Sequence, residues 1–148
     1  MNIAVNSRQK LFSSKSGWSA IALRVPVGII FVAHGAQKLF GWFGGYGLDG
    51  TGQWMASIGL EPGFLMAVLA GGAEFFGGLA LITGLLVRPA SVVLAFTMVV
   101  AIVSVHIGNG LFMSNNGYEF GFALLAATVS LTISGAGRGS IDHFIAAK

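Results

Sequence analysis

The sequence predicts an all-α fold, a transmembrane four-helix bundle in an up-down-up-down arrangement. Hydrophobic residues make up 55% of the 148 residues, only 9% are charged, and the mean hydropathy is +0.82. This composition excludes an ordinary soluble globular protein. The apolar residues also fall into four stretches of about 17–25 residues, each long enough to cross a hydrocarbon core of about 30 Å.

The four apolar stretches predict helices over residues 18–40, 63–87, 89–107 and 118–134. The polar, basic start of the chain could imitate a signal peptide. However, Arg24 interrupts the first apolar run and no small-x-small cleavage site follows it. We therefore expect an uncleaved first transmembrane helix. The predicted organisation is an N-terminal tail (1–17), a membrane domain (18–134) and a C-terminal tail (135–148).

A segment rich in glycine and aromatic residues separates the first two predicted helices. Trp42, Phe43, Tyr46 and Trp54 are of the kinds found at the membrane–water interface. Within this segment, residues 51–59 are expected to form a short helix on or dipping into the membrane. The next two predicted helices are joined by a tight turn, so they should be antiparallel neighbours.

The basic residues predict the orientation of the protein in the membrane. With four spans, both termini lie on the same side of the membrane. Asp142 is the only acidic residue expected on that side. The basic residues expected there are Arg8, Lys10, Lys15, Arg88, Arg138 and Lys148. The positive-inside rule then places both termini in the cytoplasm, with Arg88 as a topology anchor at its turn. These basic residues form no continuous stripe, so nucleic acid is not an expected partner.

The absence of cysteine narrows the chemistry. It excludes disulfides, thiol nucleophiles and iron–sulfur ligation by this chain. A redox role would need a bound organic cofactor, a haem held by histidines, or a partner protein.

Ionisable residues in or beside the apolar stretches are the candidates for a functional site. A charged group at the centre of a membrane helix costs about 2.5–3.5 kcal/mol on insertion scales, so such groups usually face the bundle interior and bind or relay something. Measured along the helix axes, most of these residues lie in the non-cytoplasmic half of the bundle, and Glu74 lies near the middle of the membrane. We predict that Arg24 and Glu74 form a structural charge pair. The predicted ligand-binding or proton-relay residues are His34, Lys38, Glu74, His106 and Glu119.

Three chemistries fit these residue types. The histidines and glutamates could hold a divalent metal, although they show no tight spacing motif. His34 and His106 could ligate a haem, although their estimated depths differ. Alternatively, the cluster could hydrogen-bond a quinone or a small anion while His and Glu move protons. We favour the last option and predict no metal.

The motifs resemble the DoxX family of bacterial membrane proteins. The resemblance rests on RVPVGIIFVAHGAQKLFG (24–41), GGAEFFGGLALITGLLVRPAS (71–91), AIVSVHIGNGLF (101–112) and NNGYEFGFALLAATVSL (115–131). The positions that follow the family pattern are Arg24, His34, Lys38, Glu74, Gly77, Gly78, Gly84, Arg88, His106 and Glu119.

The resemblance implies a four-helix protein of the bacterial cytoplasmic (inner) membrane with a loose link to redox chemistry. A relative is the DoxD-type subunit of thiosulfate:quinone oxidoreductase, and other members are linked to oxidative-stress systems. We therefore expect an accessory redox subunit that binds a quinone or small sulfur species and works with redox partner proteins in the lipid bilayer. The alternatives are a non-catalytic scaffold or assembly protein, and a weak-acid or anion transporter, which would need to be a homo-oligomer. The sequence assigns no catalytic residue.

Overall fold

Helices account for the regular structure of this protein in the computed structural model, which describes residues 11–14 and 16–147. The all-α class is thus confirmed for the described part of the chain. The helices that position the site are α1 (Ser19–Phe40), α2 (Gly47–Ser57), α3 (Gly63–Thr83), α4 (Val87–Ala101), α5 (Glu119–Ser134) and α6 (Ile141–Ala146).

Three helical segments are long and apolar enough to cross a membrane: Ser19–Phe40, Gly63–Thr83 and Val87–Asn109. The last consists of α4 and two short non-α turns that continue it. The fourth apolar helix, α5, has 16 residues. At 1.5 Å per residue it is about 24 Å long, somewhat less than a hydrocarbon core of about 30 Å. Four membrane crossings in alternating directions therefore remain a prediction.

The helices α1, α3, α4 and α5 form a closed ring of neighbours. The most extensive contact joins α1 and α3, and further contacts join α3 to α4, α4 to α5, and α5 to α1. Phe31, Leu81, Leu94 and Leu131, one from each of these helices, are at most 1% exposed and form the centre of the core. The interior thus draws on all four helices.

The outer surface of this ring is apolar, as contact with lipid requires. Large hydrophobic side chains that belong to the four helices are exposed there; they include Ile29, Leu69, Phe76, Val92, Phe96, Phe122 and Ile133. A soluble protein would place polar residues on such outward faces.

Glycines set the distance between α1 and α3. A Cβ atom added at Gly78 would lie 2.6 Å from the Gly28 carbonyl oxygen and 2.7 Å from the Val32 nitrogen. Both contacts are with backbone atoms, which cannot move aside as a flexible side chain can. The close helix approach that small residues permit in membrane proteins is found here.

Replacing Gly78 with alanine is expected to force α1 and α3 apart and to destabilise the protein by about 1–3 kcal/mol, the usual cost of overpacking. The matched control is Gly72→Ala on the same helix, because a Cβ there meets no atom within 4 Å. The free energy of unfolding in mild detergent should fall for the first variant and stay level or rise slightly for the second. Equal stability of the two variants would contradict this packing.

The segment between α1 and α3 is folded against the bundle. A 3-10 turn (Trp42–Gly44) leads into α2, which packs mainly on α3 and also contacts α1. The short helix expected over residues 51–59 is thus present, but it begins earlier, at Gly47. Trp42 and Tyr46 are exposed beside it.

The turn between α3 and α4 differs from the sequence prediction for a local reason. The helix expected over residues 63–87 ends at Thr83, because Gly84 adopts a left-handed conformation with φ +72° and caps it. The following helix begins at Val87 rather than at residue 89. The Asp142 carboxylate accepts hydrogen bonds from the backbone amides of Leu86 (2.7 Å) and Val87 (2.9 Å) and so caps α4 from a distant part of the chain.

Candidate functional site

A polar cavity of about 270 Å³ lies inside the helix ring. The structure brings four of the five predicted ligand residues to its wall: His34, Lys38, Glu74 and His106. Apolar side chains from the same helices form much of the remainder. They include Phe31, Met98, Phe120 and Leu124, and the loop residues Met113 and Asn116 line one side. The cavity, from here on called the polar cavity, therefore combines ionisable groups with an apolar lining.

An ion pair between α1 and α3 forms one wall of the polar cavity. The Lys38 Nζ lies 2.6 Å from Glu74 Oε2, and the two side chains are 23% and 5% exposed. Small residues allow this approach: a Cβ added at Gly71 would lie 3.1 Å from Lys38 Cβ. A carboxylate so deeply buried requires a cation or a proton, and Lys38 supplies the cation.

The structure does not bring Arg24 and Glu74 together, so the expected charge pair is corrected. The Arg24 guanidinium lies at the end of the bundle where α3 ends. It donates hydrogen bonds to four backbone carbonyls: those of Leu81 (2.8 Å), Ile82 (2.6 Å), Ala136 (3.1 Å) and Gly139 (2.6 Å). Arg24 is 2% exposed and ties α1 to the end of α3 and to the segment after α5.

The same end of the bundle holds Arg88 and Asp142. Arg88 donates to the carbonyls of Thr132 (2.5 Å) and Ile133 (2.7 Å), so it joins α4 to the end of α5. Burial raises the pKa of the Asp142 carboxyl above its ordinary value, while amide hydrogen bonds from Val87 and Leu86 and the nearby arginines oppose this shift. Sequence reasoning did not single out Asp142. Its position as the only acidic residue after Glu119 was the available signal.

His106 lies in an irregular part of its helix. Residues Ile102–His106 form a π-helical turn after α4, and such turns are frequent at functional sites. The His106 Nδ1 is 2.9 Å from the carbonyl oxygen of Asn116. Because a carbonyl only accepts, Nδ1 is the protonated nitrogen and Nε2 of the neutral ring remains an acceptor. The hydrogen bond therefore fixes both the orientation and the tautomer of the ring.

Of the five predicted ligand residues, Glu119 does not line the polar cavity. Its Oε1 accepts a hydrogen bond from the Met113 amide at 2.6 Å. The Glu119 and Tyr118 amides in turn donate to the carbonyls of Leu111 and Gly110. Glu119 thus holds the loop before α5, and this loop forms one side of the cavity.

His34 is an exposed residue on the wall of the polar cavity, one helical turn from Lys38. Its ring centroid lies 6.1 Å from that of Phe120 on α5. A flat ligand in the cavity could therefore contact an imidazole and a phenyl ring together.

The geometry bears on the other two chemistries. Among the described residues, no group of three or more His, Asp or Glu side chains lies close enough to hold a metal ion. A volume of about 270 Å³ suits a single ring better than a haem macrocycle.

Comparison with known proteins gives matches over most of the chain. The family model described as DoxX matches residues 19–107. The curated protein named "Putative oxidoreductase CatD" from Bacillus subtilis (strain 168) is 36% identical over 125 residues, which cover 84% of this chain and 85% of that protein.

Two Escherichia coli (strain K12) proteins are also similar. "Inner membrane protein YqjF" is 31% identical over 134 residues, covering 86% of this chain and 92% of that protein. "Inner membrane protein YphA" is 28% identical over 125 residues, covering 81% and 85%. No solved structure gives a significant match.

Proposed function

Since the chain belongs to the DoxX family of membrane proteins, we propose that it is an accessory subunit of a membrane redox or oxidative-stress system. In this proposal it binds a quinone or a small sulfur species in the polar cavity. The name of the Bacillus relative, which includes the word oxidoreductase, agrees with a redox setting. The observation that carries the proposal is the convergence of His34, Lys38, Glu74 and His106 on one cavity.

The size and lining of the cavity suit a ring-sized head group. An apolar cavity of about 150 Å³ can hold benzene, so about 270 Å³ accommodates a substituted six-membered ring. Phe31 and Phe120 line the cavity and would contact such a ring. Lys38 supplies a cationic hydrogen-bond donor for a quinone oxygen or for an oxyanion of sulfur.

Reduction of a quinone to a quinol consumes two electrons and two protons, and this chain can supply only the protons. The exposed imidazole of His34 is the natural carrier near neutral pH, and the Lys38–Glu74 pair lies one helical turn away. With no cysteine in the chain, the electrons would come from a partner protein. The proposal therefore assigns the chain a binding and proton-supplying role.

The proposed setting is the bacterial inner membrane, as the names of the two Escherichia coli relatives suggest. We propose four crossings with both termini in the cytoplasm. Arg24, Arg88 and Arg138 then lie near the cytoplasmic end, and Asp49 and Glu61 near the opposite end. The other basic residues used to predict this orientation (8, 10, 15 and 148) lie outside the described residues.

A scaffold role is the second candidate, and one observation favours it. Glu119 and the Nδ1 of His106 are engaged in fixing the loop between α4 and α5. These polar groups therefore contribute to the architecture whether or not a ligand binds. A scaffold would lose partner assembly only when its stability falls.

Replacing His34 with alanine tests the proposed ligand site. Loss of one hydrogen bond of about 1.4 kcal/mol should weaken binding by about tenfold. Protein in nanodiscs is titrated separately with a short-chain ubiquinone analogue and with thiosulfate. Binding is monitored by the change in tryptophan fluorescence. The matched control is His143→Ala, because His143 is exposed on α6 and does not line the cavity.

The expected result is weaker binding of one titrant by the His34 variant at unchanged unfolding temperature, with wild-type affinity for the His143 variant. Wild-type affinity in both variants, or no binding of either titrant to the wild type, would contradict the proposal and favour the scaffold.

A further inference from the structure

A second cavity is lined on one side by Lys38. It has a volume of about 400 Å³ and is lined by α1, α2 and the turn between them; the lining includes Gln37, Lys38, Tyr46, Thr51 and Trp54. We call it the vestibule. The polar cavity and the vestibule have one lining residue in common, Lys38. The lysine side chain therefore stands between them.

The burial of the ion pair shows which way each partner faces. Glu74 is 5% exposed and lines the polar cavity alone, whereas Lys38 is 23% exposed and lines both spaces. Lysine has a flexible stem and can turn its ammonium group without moving the helix backbone. Lys38 can thus act as a movable partition while the carboxylate stays in place.

The vestibule is lined by hydrogen-bonding and aromatic side chains that could contact a polar ring on its way to the polar cavity. Thr51 is only 5% exposed, and within residues 11–14 and 16–147 its hydroxyl has no hydrogen-bond partner. The Gln37 amide makes only a long hydrogen bond of 3.3 Å to the Phe43 carbonyl. Tyr46 and Trp54 add exposed aromatic faces at the edge where the chain is expected to meet the membrane surface.

We propose that the vestibule is the entrance by which the ligand reaches the polar cavity, and that Lys38 is the side chain it must displace. This inference rests on the proposed function for the identity of the ligand, a ring-sized head group with oxygen acceptors. Such a group would exchange contacts with Thr51, Gln37 and Trp54 for contacts with Lys38 and His34 as it moves inward.

The polar cavity has a second candidate opening, so the experiment must compare two routes of entry. Met113 and Asn116 are exposed loop residues on its wall, on the side of α5. A ligand could enter there without passing Lys38. The two routes are distinguished by narrowing each in turn.

The lack of native cysteine makes thiol labelling a clean probe of these routes. A single Ala101→Cys substitution places a thiol on the wall of the polar cavity. The measured quantity is its rate of reaction with a small membrane-impermeant methanethiosulfonate reagent in nanodiscs. Gln37→Trp narrows the vestibule, and Met113→Trp narrows the loop side as the matched control.

If the vestibule is the entrance, Gln37→Trp slows labelling by about tenfold, equivalent to about 1.4 kcal/mol on the barrier. Met113→Trp leaves the rate unchanged. The double variant Lys38→Ala/Glu74→Gln, which shortens the side chain between the two cavities without leaving a lone buried charge, labels faster. Slower labelling with Met113→Trp alone, equal rates in all variants, or an unreactive thiol would each overturn the inference.

Labelling requires no quinone or sulfur compound, so the entrance and the proposed function can fail separately. A rate that depends on Gln37, combined with no binding in either titration, would retain the entrance and reject the ligand class.

Discussion

Replacing Arg24 with leucine is expected to lower the free energy of unfolding by about 3–5 kcal/mol, because it removes a charged donor from several buried hydrogen bonds, each worth about 1.5–3 kcal/mol and only partly additive. The variant loses donors to the four carbonyls of Leu81, Ile82, Ala136 and Gly139, and it leaves the buried Asp142 with one fewer positive neighbour. Because a leucine cannot satisfy those carbonyls, the joint between α1, the end of α3 and the C-terminal segment should loosen.

The measurement is unfolding by sodium dodecyl sulfate titration of protein in mild detergent. Arg138→Leu is the matched control, because Arg138 is exposed near the same end of the bundle. Arg24→Lys should recover only part of the loss, since an ammonium group lacks the planar fork of five donors. A stable Arg24→Leu protein would show that the carbonyls find other partners and that this network is dispensable.

Replacing Lys38 with methionine is expected to have a comparable effect for a different reason. The substitution leaves the 5%-exposed Glu74 carboxylate without its cation, and breaking a buried pair on one side costs about 3–5 kcal/mol. Methionine matches the length of the lysine stem, so packing changes little. The unfolding free energy should fall steeply at neutral pH.

The double variant Lys38→Met/Glu74→Gln should recover most of that stability, because no uncompensated charge remains. The two single variants and the double variant form a double-mutant cycle, measured under the same detergent conditions. Additive effects would show that the 2.6 Å contact contributes no coupling energy, and the assignment of Lys38 as the partner of Glu74 would then be wrong.

Composition and the lengths of the apolar stretches identified the helical class, because both depend only on residues that are close together in the sequence. The first and last bundle helices were predicted to within one residue at each end, 18–40 against Ser19–Phe40 and 118–134 against Glu119–Ser134. The start of α4 was missed because its cap, Asp142, lies 55 residues further along the chain. No local pattern could reveal a cap at that distance.

The choice of partners in the site was also beyond sequence reasoning. Depth along a helix placed Arg24 and Glu74 near one another, but Glu74 has a lysine available on the facing turn of α1, and close glycine packing brings the two together. Glu119 was grouped with the ligand residues because it shares a side of the bundle with them. Its contact with the Met113 amide depends on how the loop folds, which spacing alone does not show.

The position of the partners of Arg24 has a consequence for biosynthesis. Arg24 enters the membrane with the first helix, yet two of its four carbonyl partners, Ala136 and Gly139, are synthesised more than 110 residues later. Until then, only the Leu81 and Ile82 carbonyls of its four partners can be in place. This end of the bundle can therefore be completed only after all four apolar helices and the segment that follows α5 have been synthesised.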